Sequence, residues 1–344
     1  MGSDLDTRHP QYTHSHASWV QMRDTVAGSE TVKAAGDKYL PMTSSMIADG
    51  AKNYLEPGHT AWQNYRDRSL FPDITGTSVR TFVGLLNRNE TVIELPTALE
   101  PMRDNASREG ESLQQLLRRI HEEQLITGRV GLLADVAPGS LAPHFALYAA
   151  ENIVNWDGGR SFDGDQDKLS FVILGEDGYE RVDGSFDWDS VVNYRLLAVD
   201  EAGNYYTYSE NSSGTNATPI VNPNFRGRTP AGIPFTVINA RDLSLSPGDV
   251  PLLGVSDANI AIYRSDADYR QSLHMLAQET LVITGVNEYE QEDVPMRIGA
   301  GARIMLPEGA DAKFVGLQGV GLGEQRLAML DDYRRAYSEG AKLL

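Results

Sequence analysis

The sequence predicts an α+β protein, on three observations. Apolar residues at helical spacing dominate the stretch from Met46 to Ile126. Short apolar runs separated by Asp, Gly and Pro turns fill the middle, from Val130 to Ile238. A long helix then begins near Ser256, and a second one ends the chain. Helices followed by a block of strands, without strict βα alternation, mark the α+β class. With 344 residues and 41% hydrophobic content, there is apolar material for one large domain or several smaller ones.

Taken in order, residues 1–40 read as a polar arm, because Pro10, Gly28 and Gly36 interrupt any period. Met46, Ile47, Ala51 and Leu55 predict a helix over 42–55, and a second short one is expected over 61–70. Val79, Phe82, Val83 and Leu86 mark a third, with Thr77 or Ser78 near its start. The clearest lies over 110–126, where Leu113, Leu116, Leu117 and Ile120 form one stripe and Gly128 stops it. Val130 to Val136 is continuous and apolar, as a buried strand is. Further strands are expected at 145–148, 169–174, 191–199, 205–209 and 234–238. The polar stretch 210–230 reads as a loop or hairpin. Ser256 or Asp257 is expected to cap a helix reaching about Ala277. Short strands at 281–284, 303–306 and 313–317 lead to a helix from Gly323, on which Leu327, Leu330, Tyr333, Arg334 and Tyr337 keep helical spacing.

Composition excludes several function classes. There is no cysteine, so disulfides and thiolate metal sites are ruled out. No run of about 18 apolar residues occurs, so no membrane-spanning helix is expected. The first 21 residues lack the basic start and apolar centre of a signal peptide. A formal charge of −18 argues against a surface that grips nucleic acid, since phosphate neutralisation supplies most non-specific affinity. Such acidity serves solubility, and it equally suits a surface past which DNA moves without adhering.

Catalytic motifs are wanting. No G-x-x-x-x-G-K-[ST], G-x-S-x-G or S-x-x-K occurs. His121-Glu122-Glu123 lacks the second His of a zinc-protease helix, and His14-Ser15-His16 has no carboxylate at useful spacing. Asp163, Asp165 and Asp167 have calcium-loop spacing at the start but not the Gly and Glu that an EF-hand needs, and a solvated turn explains them. Gly319 to Gly323 has no βαβ context for a dinucleotide loop. The residues predict no enzyme and no cofactor.

The stretch from Pro251 to Gly285 contains Asn259-Ile-Ala-Ile-Tyr-Arg-Ser-Asp-Ala-Asp-Tyr269, then a Leu273-His274 pair and Thr280-Leu-Val-Ile-Thr-Gly285. It resembles the central block of the tailed-bacteriophage portal proteins. Three other segments resemble the same family in order along the chain. They are Trp19-x-x-x-Arg23-Asp24 with its sequel to Pro41, Gly128-Arg-Val-Gly-Leu-Leu-Ala-Asp135, and Glu151-Asn-Ile-Val-Asn-Trp156.

The resemblance implies a portal-like fold with a mixed α/β wing, long stem helices and a small β-containing clip. It assigns an N-terminal arm to 1–40, the wing to 41–252, a stem helix to 253–277, the clip to 278–318 and a second stem helix to 319–344, with the crown lying beyond Leu344. It also implies a homo-oligomeric ring, usually a dodecamer, at one capsid vertex of the virion, assembled in the host cytoplasm. Double-stranded DNA would pass through without sequence-specific binding. The expected partners are the major capsid protein, the terminase large subunit and a head–tail adaptor, with no membrane. A different structural virion component, such as a neck adaptor, is the alternative. On this reading Tyr263, Arg264, Asp268, Tyr269 and Arg270 are helix–helix and intersubunit contacts. Glu288, Glu290, Glu292 and Asp293 are candidate channel acids, since between 278 and 318 seven acids against three bases leave a net of four negative charges. Like charges about 10 Å apart in water repel by only roughly 0.4 kcal/mol, so the effect would come from many acting together within a Debye length.

Overall fold

The computed structural model describes residues 5–89, 91–136, 143–159, 168–211, 220–221, 230, 232–276, 280–284, 309, 311–315 and 321–341. In chain order its α-helices are α1 (Pro10–Ala27), α2 (Ser29–Ala34), α3 (Ser44–Ala48), α4 (Pro57–Arg68), α5 (Ile74–Leu86), α6 (Leu113–Ile126), α7 (Leu253–Leu276) and α8 (Leu322–Ala341). Its strands are β1 (Arg129–Val136), β2 (Pro143–Ala149), β3 (Ile153–Gly159), β4 (Lys168–Arg181), β5 (Trp188–Val199), β6 (Tyr205–Asn211), β7 (Phe235–Asn239), β8 (Thr280–Thr284) and β9 (Asp311–Val315). Helices and antiparallel sheets together make this an α+β chain, as the sequence predicts. Packing divides it into two units, each discontinuous in sequence. The first comprises Met1–Thr31, Asp73–Asn259 and Ala336–Leu344; the second comprises Val32–Pro72 and Ile260–Arg335.

The first unit begins with a departure from the expected arm. Pro10 occupies the first turn of α1, where its missing N–H costs nothing, and His9 Nδ1 accepts the Gln11 N–H at 3.1 Å. Tyr12, Trp19 and Met22 are buried along one narrow face while the remaining positions are mostly polar, so no apolar stripe marks the helix in the sequence. The expected stripe on α6 is present. Ser112 and Gln115 close a reciprocal capping box, and Gly128 lies just past the end at φ 81°, a conformation that disfavours a side chain.

Two antiparallel sheets complete this unit, in the orders β2-β1-β7 and β3-β4-β5-β6. Strand β3 was not predicted by periodicity; it pairs with β4 through irregular register at both ends. Beyond the pairs that β3 and β6 make, β4 and β5 continue as a two-stranded ribbon from Asp177↔Val192 to Arg181↔Trp188. Trp19 of α1 joins Leu133, Tyr148, Trp156, Leu174, Leu197 and Phe235 in the main core. Separate apolar clusters join α1, α5 and α6 to the start of α7, and α6 to β1.

Within the second unit, α3, α4 and the described part of α7 from Ile260 share a core of Leu40, Met46, Trp62, Tyr65, Phe71 and Tyr263. The helix predicted over 42–55 is only α3, and Leu55 is 74% exposed. Strands β8 and β9 pair antiparallel from Thr280↔Val315 to Thr284↔Asp311. The chain order α7, β8, β9, α8 is thus helix, strand, strand, helix. Ser265 Oγ donates to Asp332 at 2.9 Å and ties α8 to α7.

Helix α7 starts at Leu253, one turn before the predicted cap. Ser256 and Asp257 therefore lie inside it, and both meet α1. The Ser256 and Thr25 hydroxyls are 2.9 Å apart, and Gln21 Nε2 donates to Asp257 at 2.6 Å. The strand expected over 303–306 lies outside the described residues.

Candidate functional site

On α7, positions three and four apart share a face, so Tyr263, Asp266, Ala267 and Arg270 line up. Tyr263 is fully buried, and its ring meets Phe71 edge-on at 5.8 Å between centroids. Burial raises its phenol pKa, with Ser69 opposing. Arg264 Nε donates to the Tyr39 carbonyl at 2.8 Å. The Tyr65 hydroxyl donates to Asp268 Oδ1 at 2.6 Å, and burial followed by that carboxylate holds the phenol above its ordinary range. Arg270 Nε donates to Asp266 Oδ2 at 2.8 Å, while the Leu70 N–H donates to the same oxygen at 2.6 Å. Tyr269 is half-buried. Tyr263, Arg264, Asp268 and Arg270 are thus tied to their own unit. Asp266, which sequence reasoning passed over, is the most heavily engaged acid of the group; its signal was the (i, i+4) spacing to Arg270.

The channel candidates Glu288, Glu290, Glu292 and Asp293 lie outside the described residues, as does the turn from 163 to 167.

The other resemblance-bearing segments converge within the first unit. Arg23 of α1 lies between two carboxylates. Its Nε and Nη2 donate to Glu151 at 2.9 and 3.0 Å, and its Nη1 and Nη2 donate to Glu123 at 3.0 and 2.5 Å. These bonds raise the guanidinium pKa despite burial. Arg129, 1% exposed, stacks over the Trp156 ring at 4.7 Å and donates through Nη2 to the Leu245 carbonyl at 3.1 Å. Its Nε and Nη1 have no partner among the described residues, and burial pushes its pKa down to about 10. His9 also stacks on Trp156, at 4.1 Å. At the end of β1, Asp135 accepts from Arg195 Nη2 at 2.8 Å, and the Tyr148 hydroxyl donates to Glu176 at 2.7 Å nearby. A methyl group on Gly131 would lie 2.4 Å from the Phe235 ring, so this position has room for hydrogen only.

A polar cleft of about 480 Å³ opens beside this network, lined by Arg8, Tyr12, Arg23, Glu123, Glu151 and Asp177 among others. Arg23 is already spanned by two of those carboxylates, and among the described residues no Ser, Cys or Lys lines the cleft. Among the described residues no group of three or more His, Asp or Glu could hold a metal ion, and no helix is long and apolar enough to cross a membrane. What the arrangement does chemically is hold segments together across more than a hundred residues of chain.

Residues 251–344 match a family described as a domain of unknown function (DUF4055). No curated protein matches the chain. Among solved structures, a chain in the virion of a native gene transfer agent (GTA) particle is similar over 79% of this chain and 64% of its own, at 13% identity and a TM-score of 0.39. A chain from the neck of the empty GTA particle is similar over 76% of this chain and 64% of its own, at 12% identity and a TM-score of 0.41. One from the neck of the native particle gives 76% and 63%, 13% and 0.37. The chain spans less than two thirds of the length of each.

Proposed function

We propose that this chain is a portal-type subunit, a structural protein that closes into a ring at one capsid vertex and serves as conduit and docking platform. The observation that carries the proposal is the block Asn259–Tyr269. Its side chains resemble the portal central block, and they are spent on burial and on hydrogen bonds that fix a 24-residue helix. The order α7, β8, β9, α8 supports it, being the stem, clip, stem order that the resemblance implies. So do the exposed apolar residues on the two helices: Leu273 and Met275 on α7, and Leu327, Leu330 and Tyr337 on α8. On α8, Leu327, Leu330 and Tyr337 stand three and seven positions apart, so they share a face that fits a helix–helix interface between copies.

On this reading the ring is a dodecamer that passes double-stranded DNA without reading its sequence, and it meets the capsid protein, the terminase large subunit and a head–tail adaptor. The chain carries out no catalytic step and takes no cofactor. Mass photometry and negative-stain electron microscopy of the purified protein test this. Closed rings with a central opening are expected; a monomer at every protein and salt concentration would overturn the reading. Rings found below the capsid vertex, instead of within it, would make the chain a neck adaptor.

A further inference from the structure

The β4–β5 ribbon carries a surface that its own unit leaves uncovered. Paired residues on antiparallel strands share a face, as do residues two apart. Tyr179, Arg181 and Trp188 therefore lie on one face, and Glu180 with Asp189 on the other. Tyr179 is 75% exposed, Trp188 62% and Phe186, at the turn, 89%. Arg181 lies over the Phe186 ring at 4.9 Å. Two acids, Asp183 and Asp187, lie in the turn with Phe186, while Glu180 and Asp189 face the other way. Three exposed aromatics on so short a ribbon form a patch of the kind that marks a protein contact.

The second unit presents a complementary surface. A groove of about 300 Å³ is lined by Arg68, Arg270, Leu273 and His274. Leu273 is 40% exposed. Of the two guanidiniums, Arg68 donates to the neutral Gln271, and among the described residues only Arg270 is paired with a carboxylate. We propose that the ribbon tip of one copy of this chain docks in the Arg68–Leu273 groove of a second copy, aromatic rings against Leu273 and acids against the guanidiniums. An aromatic side chain buries up to about 150–250 Å² when fully covered, so these three partly exposed rings supply part of the roughly 800 Å² per partner of a standard interface. A contact between two different patches is head-to-tail, and such a contact gives a ring when the rotation between neighbours closes and an open filament when it does not. The inference rests on the ring reading above and names the element that joins neighbours.

The absence of cysteine makes the test direct. Phe186→Cys and Leu273→Cys are introduced into one chain and oxidised mildly. A covalent ladder is expected, whereas mixing the two single variants should give dimers only. A Leu55→Cys, Leu273→Cys pair serves as control. Cross-linking no better than the control would overturn the proposal, as would Phe186→Cys chains joining to themselves. A cross-link without closed rings would keep this contact and refute the ring. In a second arm, Tyr179→Thr, Phe186→Ser and Trp188→Thr are combined and folding is checked by circular dichroism. The concentration needed for assembly should rise at least tenfold, and rings persisting at the original concentration would count against the ribbon.

Discussion

Replacing Arg23 by Met removes one guanidinium and strands two carboxylates. The side chains of Glu123 and Glu151 are 17% and 23% exposed, and that of Arg23 is 32% exposed. Each hydrogen bond to a charged group contributes about 1.5–3 kcal/mol, and breaking a fully buried ion pair costs about 3–5 kcal/mol. Partial exposure lets water reach the stranded carboxylates, which reduces the expected loss to roughly 2–4 kcal/mol. Met keeps much of the Arg stem volume, so the loss isolates the charge rather than the packing. For a body of about 150–250 residues, 1 kcal/mol moves the Tm by about 2–4 °C, so the midpoint should fall by about 5–15 °C. Calorimetry with urea unfolding measures it, and the same substitution is repeated in a Glu123→Gln, Glu151→Gln background. There the loss should shrink, because no carboxylate remains to be stranded. A loss below about 1 kcal/mol, or an equal loss in both backgrounds, would refute the view that Arg23 locks α1 to these two segments.

Three further outcomes follow from the same region. Gly131→Ala places a methyl 2.4 Å from the Phe235 ring and should destabilise by about 1–3 kcal/mol, with Phe235→Leu in the same chain restoring part of it in urea unfolding. Arg129→Met should change stability by less than about 1 kcal/mol, because it loses a stacked cation and the bond to the Leu245 carbonyl but also removes two buried donors that have no partner among the described residues. The sign agrees: with a folded pKa of about 10 below the usual 12.5, the charge costs stability below pH 10, and the cost fades as the pH rises above it. His9 is held below its ordinary pKa by burial and by Arg129, with Asp157 opposing. The unfolded chain therefore binds the proton more readily, and stability present above pH 6.5 should decline as the pH falls below it. His9→Asn keeps a capping acceptor and should flatten that decline when Tm is followed from pH 7.5 to 5.

Elements whose signal is local were legible in the sequence. Helix α6 announces itself through an apolar stripe ended by Gly128, and β1 through an apolar run after Gly128. Helix α1 was not legible, since burying Tyr12, Trp19 and Met22 needs no wide stripe, and Pro10 breaks a helix only when it stands inside one. The start of α7 was misplaced because Ser256 and Asp257 have capping chemistry but spend it on Gln21 and Thr25 of α1. The partners of Arg23 lie 100 and 128 residues away, and no periodicity reports pairings at such distance. On α7, Tyr263 and Asp268 could be singled out from the sequence, but their ties to Phe71 and Tyr65 depend on tertiary packing alone.

The resemblance-bearing residues therefore say more about shape than about partners. Trp19, Arg23, Arg129, Gly131, Glu151 and Trp156 are held by one another or by their neighbours in one unit, and Tyr263 and Asp268 by theirs. Side chains engaged in this way serve first the fold of their own unit. A binding role then falls to residues that the fold does not use. Among the described residues these include the outward Leu327, Leu330 and Tyr337 of α8 and the aromatic tip of the β4–β5 ribbon. Neither surface belongs to a segment that suggested the family in the first place. Assembly should consequently respond to substitutions there and at the exposed Leu273 that leave folding intact, while substitutions at the buried or bonded positions of the shared segments should act through folding first.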